Sequence, residues 1–321
     1  MTITSGSAPR LPPCADDRGT VPRALPSPAT VLAMLRPWYW PVSLAPMMLG
    51  YVLGSASWLP PAGSVGRHVG AALVIGPLVW GAVLAMNDRH DLASDRANPR
   101  KATAPVVTGA VGMRGLGRLQ TLFVTASLVV AAITGPRLAL GTAGVLALGW
   151  AYSTPPLRLK SRPGADVAVN ALVAGLLAPL CGWSLNQPVL TYPLALAVAG
   201  TLITAALYVP TTVIDLAADR QAGDVTFAVR FGPRTTYRVA LVMWGAGTVV
   251  WLIACVQGLV PPEHVPFHAV CCAAQMALYA VLMRRPSIPR LAILFTAFGA
   301  PALAFLSAVV GGHPAVDVLA P

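Results

Sequence analysis

The chain has 321 residues, of which 56% are hydrophobic and only 10% charged, with a mean hydropathy of +0.68. A soluble domain carries about 25% charged residues, so this composition excludes an ordinary water-facing surface and predicts an integral membrane protein. The formal net charge of +11 does not point to nucleic acid, because the basic residues form short clusters between apolar runs, as loops beside a membrane do.

Residues 1–33 are rich in Pro, Ser, Ala and Arg and lack a continuous apolar segment. They read as a disordered cytosolic tail rather than a signal peptide. A helix crossing the hydrocarbon core needs roughly 20 mostly apolar residues. Nine runs approach that length, near 38–58, 68–86, 114–133, 138–153, 165–185, 190–213, 236–257, 265–283 and 290–311. They predict an all-α, polytopic membrane protein over residues 34–312, with about nine transmembrane helices and a short C-terminal tail, 313–321. Pro46, Pro77, Pro179 and Pro210 mark candidate kinks. Trp38, Tyr39, Trp40, Trp58, Trp80, Trp150 and Trp183 lie near span ends, where an interfacial aromatic belt is expected.

With nine spans, the tail shares a side with the loops at 87–113, 154–164, 214–235 and 284–289. Of the 22 Lys and Arg, only Arg67 and Arg137 fall opposite, and only Glu263 and Asp317 of the 11 acids do. The positive-inside rule makes the tail side cytosolic in a cell membrane, so the polar chemistry lies on one face.

That chemistry begins at "NDRHDLASDRANPRK", where Asn87, Asp91 and Asp95 stand at steps of four with Asp88 beside them. Like charges four apart on a helix repel, so positive groups must hold them. The pattern returns in "DLAADRQAGD", where Asp215 and Asp219 are again four apart. Two helices offering carboxylates at one depth form a hard-oxygen site suited to Mg²⁺, which bridges carboxylates to substrate phosphates. Arg96, Arg100, Lys101, Arg220 and Arg230 would then pair with phosphate oxygens. A structural ion-pair network is the plainer alternative. Each acid pair is followed directly by Arg ("SDR", "ADR"), a recurrence that favours a metal–diphosphate pocket. The five cysteines form neither a disulfide framework nor a metal spacing: Cys14 lies in the tail, Cys181 and Cys255 are isolated, and Cys271 and Cys272 are adjacent.

The segments "NDRHDLASD" and "DLAADRQAGDVTFAVRFG" resemble the two signature motifs of the UbiA-type intramembrane prenyltransferases, NDxxDxxxD and DxxxD. "AYSTPPLRLKSRPG" resembles that family's third conserved region, and "LRPWYWPVSLAPMMLGYVLG" its first helix. The resemblance implies nine helices around a cavity open sideways to lipid. It also implies that Asn87, Asp91, Asp95, Asp215 and Asp219 hold Mg²⁺ against an isoprenyl diphosphate, with Asp91 and Asp215 at the centre of catalysis. Asp88 would support that shell. Tyr152, Arg158 and Lys160 would cap the site and contact the diphosphate, beside Arg96, Lys101 and Arg220. The reaction implied is transfer of the isoprenyl group to a lipophilic or aromatic acceptor, with a terpene cyclase as the alternative and a membrane transporter as the remote one.

Some positions depart from the family pattern. "NPRK" and "YSTPPLRLK" look more like the lycopene-elongase and chlorophyll-synthase side of the superfamily than the hydroxybenzoate side. Ile214 replaces an Asn that often precedes the second motif. Asp224 stands where a neutral or basic residue is common, and is expected to be solvated. His90, inside the first motif, is expected at the surface or behind the ligands. Arg36 is expected to anchor the membrane edge rather than to meet an acidic acceptor.

Overall fold

The computed structural model describes residues 26–313, and within them every regular element is helical. Residues 1–25, with Cys14, and residues 314–321 lie outside the described residues. The expected tail of residues 1–33 is corrected at its end, because helix α1 occupies Pro28–Leu35. Ser27 caps it, its Oγ accepting from Thr30 N at 3.2 Å, and Pro28 stands at the first helical position, where its fixed φ fits. Arg36 then leaves the helix in the left-handed region, at φ 44°.

Seven helical segments are long and apolar enough to cross a membrane: Ala62–Arg96, Met113–Thr134, Ala165–Ser184, Leu194–Ile214, Phe227–Leu259, Pro262–Leu282 and Ile288–Val310. The other two predicted spans are helical as well. One is α2, Pro41–Ser55, whose 15 residues rise only about 22 Å at 1.5 Å per residue, less than the roughly 30 Å hydrocarbon core. The other is α6, Pro136–Ser153. The protein is a multi-pass membrane protein, and large apolar side chains such as Ile133, Leu190, Val242 and Val256 are exposed on its outside.

The remaining helices are α3 (Val65–Leu73), α4 (Val79–Ala97), α5 (Met113–Thr134), α7 (Ala165–Leu172), α8 (Ala178–Ser184), α9 (Leu194–Ile214), α10 (Leu216–Ala222), α11 (Phe227–Ala254), α12 (Val265–Leu282), α13 (Ile288–Ala297) and α14 (Gly299–Val310). Single π turns join α3 to α4 (Val74–Leu78) and α7 to α8 (Val173–Leu177). The first contains Gly76, with non-helical φ/ψ, and Pro77, so that predicted kink is present. Ser43 Oγ donates to Ile75 O at 2.8 Å within this turn, supplying a side-chain partner where the ladder is disturbed.

Helices α2 and α8 cross at van der Waals contact through glycine. A Cβ on Gly50 would fall 1.8 Å from Pro179 O, and one on Gly182 would fall 1.8 Å from Met47 O. Small residues permit such backbone approach where lipid provides no hydrophobic drive between helices. Helices α4, α5 and α6 pack on one another, and α9 packs against both α7 and α11. The two groups bring the ends of α4 and α9 to the same end of the bundle.

Candidate active site

Helix α4 continues unbroken through Asn87, Asp88, Asp91 and Asp95 and ends at Asn98, whose Oδ1 accepts from Arg100 N at 3.0 Å. Pro99 follows and turns the chain toward Lys101. The three aspartates are buried, and each has a cation from elsewhere in the chain. Arg36 Nη2 donates to both Asp88 oxygens, at 2.8 and 3.0 Å. Asp91 is paired with Lys160 and, at 3.3 Å, with Arg158 Nη2. Lys101 Nζ lies 2.5 Å from Asp95 Oδ1. Like-charge repulsion along α4 is thus offset by groups from three other segments. Arg36 therefore serves Asp88 as an ion-pair partner.

The second segment is built differently. Asp215 sits at the junction of α9 and α10, with φ −93° and ψ −2°, and forms an ion pair with Arg100. Asp219 follows one turn on, its Oδ2 accepting from Thr226 Oγ1 at 2.9 Å. Burial raises the Asp219 carboxyl above its ordinary pKa, against the lowering effect of that hydrogen bond. Gly223, at φ 78°, closes α10 and lets Asp224 N donate to Asp219 O.

Asp224 corrects the expectation of a solvated carboxylate. Its Oδ1 lies 3.0 Å from Arg158 Nη2 and accepts from Ser161 Oγ at 2.5 Å. Arg158 therefore bridges Asp91 on α4 to Asp224 after α10. It does so from the loop 154–164, where it adopts φ 36°. Lys160, in the same loop, is buried and donates to Asn87 Oδ1 at 3.1 Å. Burial lowers its pKa, while the adjacent Asp91 carboxylate pulls it back up.

Tyr152, at the end of α6, shares a 2.8 Å hydrogen bond with Tyr208 of α9 and accepts from Asn170 Nδ2 at 3.1 Å. Asp166 is fully buried. Its Oδ1 accepts from Gly164 N and Val167 N, and its Oδ2 from Phe227 N at 2.8 Å. That carboxylate fastens the 154–164 loop to the start of α11 and so to the second acidic segment. Sequence reading passed over Asp166, Asn170, Tyr208, Ser161 and Thr226. Asp166 had a signal, an acid in the first turn of a predicted span, where the helix N-terminus favours it. The others are defined by contacts far apart in sequence.

Not every predicted residue joins the cluster. Arg96, Arg220 and Arg230 are exposed, and among the described residues no ion pair ties them to the acids. Arg96 and Arg220 each follow an aspartate directly, and i and i+1 positions do not share a helix face. His90 Nε2 lies 3.4 Å from Thr154 Oγ1.

The arrangement can hold a cation. Among the described residues no three carboxylate, histidine or cysteine side chains close on one point. Instead, the Lys160 ammonium is held between oxygens of Asn87 and Asp91. A positive group bound by hard oxygen donors already occupies this position, and the all-oxygen donor set suits Mg²⁺.

Beneath this polar cluster lies a cavity of about 590 Å³. Asn87, Tyr152, Ser153 and Asn170 form its polar end. Its walls are mostly apolar side chains of α4, α6 and the π turn before α8, including Val83, Val145, Val173 and Leu177, with Ser43, Arg137, Thr142 and Ser184 among them. Ion-paired acids thus stand over a long greasy pocket, an arrangement for a molecule with a charged head and an apolar tail. Residues 43–262 match the UbiA prenyltransferase family. The chain belongs to that family. Lycopene elongase/hydratase of Haloferax volcanii is 28% identical over 250 residues, 73% of this chain and 76% of the relative. The bacteriochlorophyll synthase 33 kDa chain of Cereibacter sphaeroides is 29% identical over 278 residues, 83% of this chain and 87% of that one. Among solved structures, a UbiA homolog from Archaeoglobus fulgidus bound to GPP and Mg²⁺ superposes with a TM-score of 0.70 at 25% identity, covering 88% of this chain and 99% of that chain.

Proposed function

We propose that this UbiA-family protein transfers an isoprenyl group from an allylic diphosphate to a lipophilic or aromatic acceptor, with Mg²⁺, and releases diphosphate. The observation that carries this reading is the meeting of the two acidic segments and the basic 154–164 loop at the polar end of one apolar cavity. The Archaeoglobus homolog with GPP and Mg²⁺, and the two families of curated relatives, support it.

Asn87, Asp91, Asp95, Asp215 and Asp219 would hold the metal. Bound there, Mg²⁺ supplies positive charge to the leaving diphosphate. Lys160, Arg158, Lys101 and Arg100 now neutralise the acids. With donor bound, they turn part of their charge to the diphosphate oxygens and stabilise the charge that develops as the C–O bond breaks. The electron pair leaves with the diphosphate. Tyr152 stands at the boundary between head and tail, fixed by Tyr208 and Asn170. The apolar wall keeps water from the allylic cation until an electron-rich carbon of the acceptor attacks and loses a proton.

We infer from the asymmetry of basic residues that these loops and the N-terminus face the cytosol across a cell membrane, with nine crossings. Cysteines placed at Ser94, Ser161 or Gly223 are then labelled only from the cytosol, and at Ser64 or Glu263 only from outside. Labelling at Ser94 from outside breaks that topology. The activity is tested by supplying purified protein with Mg²⁺ and an allylic diphosphate, with and without candidate acceptors, and weighing the products. An acceptor-dependent mass gain of the isoprenyl group is expected. A cyclic hydrocarbon formed from the diphosphate alone would replace transfer with cyclisation.

A further inference from the structure

The cavity follows one face of α6 from Tyr152 to Leu138, with Arg137 beside Leu138. Those 14 residues span about 21 Å at 1.5 Å each. Two glycines lie on this lining, and they differ. A Cβ on Gly149 would stand 2.6 Å from Val83 Cγ1, so that glycine serves the packing of α6 against α4. A Cβ on Gly141 meets nothing within 4 Å. Gly141 precedes Tyr152 by 11 residues, close to three full turns, so the two share a helix face, about 16 Å apart along the axis. Gly141 is exposed on this lining, so the space beside it is open and no protein atom fills it, at a fixed depth below the polar end.

We propose that Gly141 sets the length of the donor, and that the donor is a twenty-carbon allylic diphosphate. The inference rests on the diphosphate reading of the polar end. Each isoprene unit adds four chain bonds of about 1.5 Å, roughly 5 Å when extended. Three units from the polar end reach Gly141, and a fourth fills the stretch from Gly141 to Leu138. A side chain at 141 would lean toward the helix N-terminus, into the place of that fourth unit.

Binding of ten- and twenty-carbon allylic diphosphates to the full-length protein in lipid nanodiscs, with Mg²⁺ present, tests this without knowledge of the acceptor. The variants are Gly141→Leu and Gly141→Phe. The control is Gly144→Phe, on the same helix, where a Cβ also meets nothing within 4 Å but which is outside the cavity lining. The wild type should prefer the longer donor. Both Gly141 variants should lose about tenfold or more in affinity for the twenty-carbon donor, given the apolar contact removed, and keep the ten-carbon affinity within about twofold. Gly144→Phe should change neither. Equal losses for both donors in the Gly141 variants, or no loss, would overturn the length gauge while leaving the diphosphate site standing. Failure of the wild type to bind either donor would instead remove the diphosphate reading, and the gauge with it.

Discussion

The two acidic segments share the i, i+4 carboxylate spacing but stand on different backbones. The first lies within one continuous helix, and its Asp91 side chain is 8% exposed, with cations already in place. The second straddles the break between α9 and α10, and its Asp215 side chain is 39% exposed, paired with an Arg100 that is itself 48% exposed. Buried ion pairs are costly to break, whereas exposed ones contribute about 0–1 kcal/mol. The first segment is thus a fixed platform, and the second a softer arm, which in the proposed reading adjusts to the diphosphate. Spacing alone does not make two motifs equivalent.

This difference is most sharply exposed by removing one carboxylate from each. Asp91→Ala and Asp215→Ala should both reduce product formation by about 100-fold or more, as loss of charge stabilisation at a reacting centre does. Their stabilities should diverge. Asp91→Ala leaves Lys160 and part of Arg158 buried without a counter-charge and should lower the melting temperature clearly; Asp215→Ala should leave it nearly unchanged. Equal melting temperatures would erase the distinction between platform and arm.

A smaller effect is expected at the link between them. Asp224→Asn keeps the shape but removes the charge that holds Arg158 toward the arm. Turnover should fall by about tenfold, the scale of one charge-assisted hydrogen bond, with KM for the diphosphate rising more than kcat falls. A change in kcat alone would move Asp224 from positioning to chemistry. The smallest effect on turnover belongs to Arg36→Gln. Its partner Asp88 does not line the cavity, so activity should stay within about twofold, while the broken pair destabilises the protein by roughly 3 kcal/mol. A selective rise in KM for a carboxylated acceptor would show that Arg36 reads the acceptor after all.

Local pattern carried the helices and the grouping of the acids at one end, because apolar runs and i, i+4 spacing are properties of short stretches. The need for cations around Asp91 and Asp95 was also legible, from repulsion alone. Which cations serve was not. Arg96 and Arg220 are adjacent in sequence yet point away, whereas Lys160 and Arg158 arrive from a loop more than 60 residues on. Asp224 and Asp166 were misjudged or missed for the same reason, since their partners are set by how α7, α10 and α11 meet. The onset of α1 was hidden by Pro28, which reads as a breaker in composition but begins a helix when a serine cap precedes it. Cavity depth likewise depends on which glycine of α6 faces a neighbour and which faces space.

The central claim is that platform and arm grip one diphosphate together. A double-mutant cycle on Asp91→Asn and Asp215→Asn, read as Mg²⁺-dependent affinity for an allylic diphosphate, tests it most directly. Residues that act as a unit are non-additive, so each single variant should lose nearly as much affinity as the double. Losses that simply add, with each segment contributing independently, would contradict a single shared site.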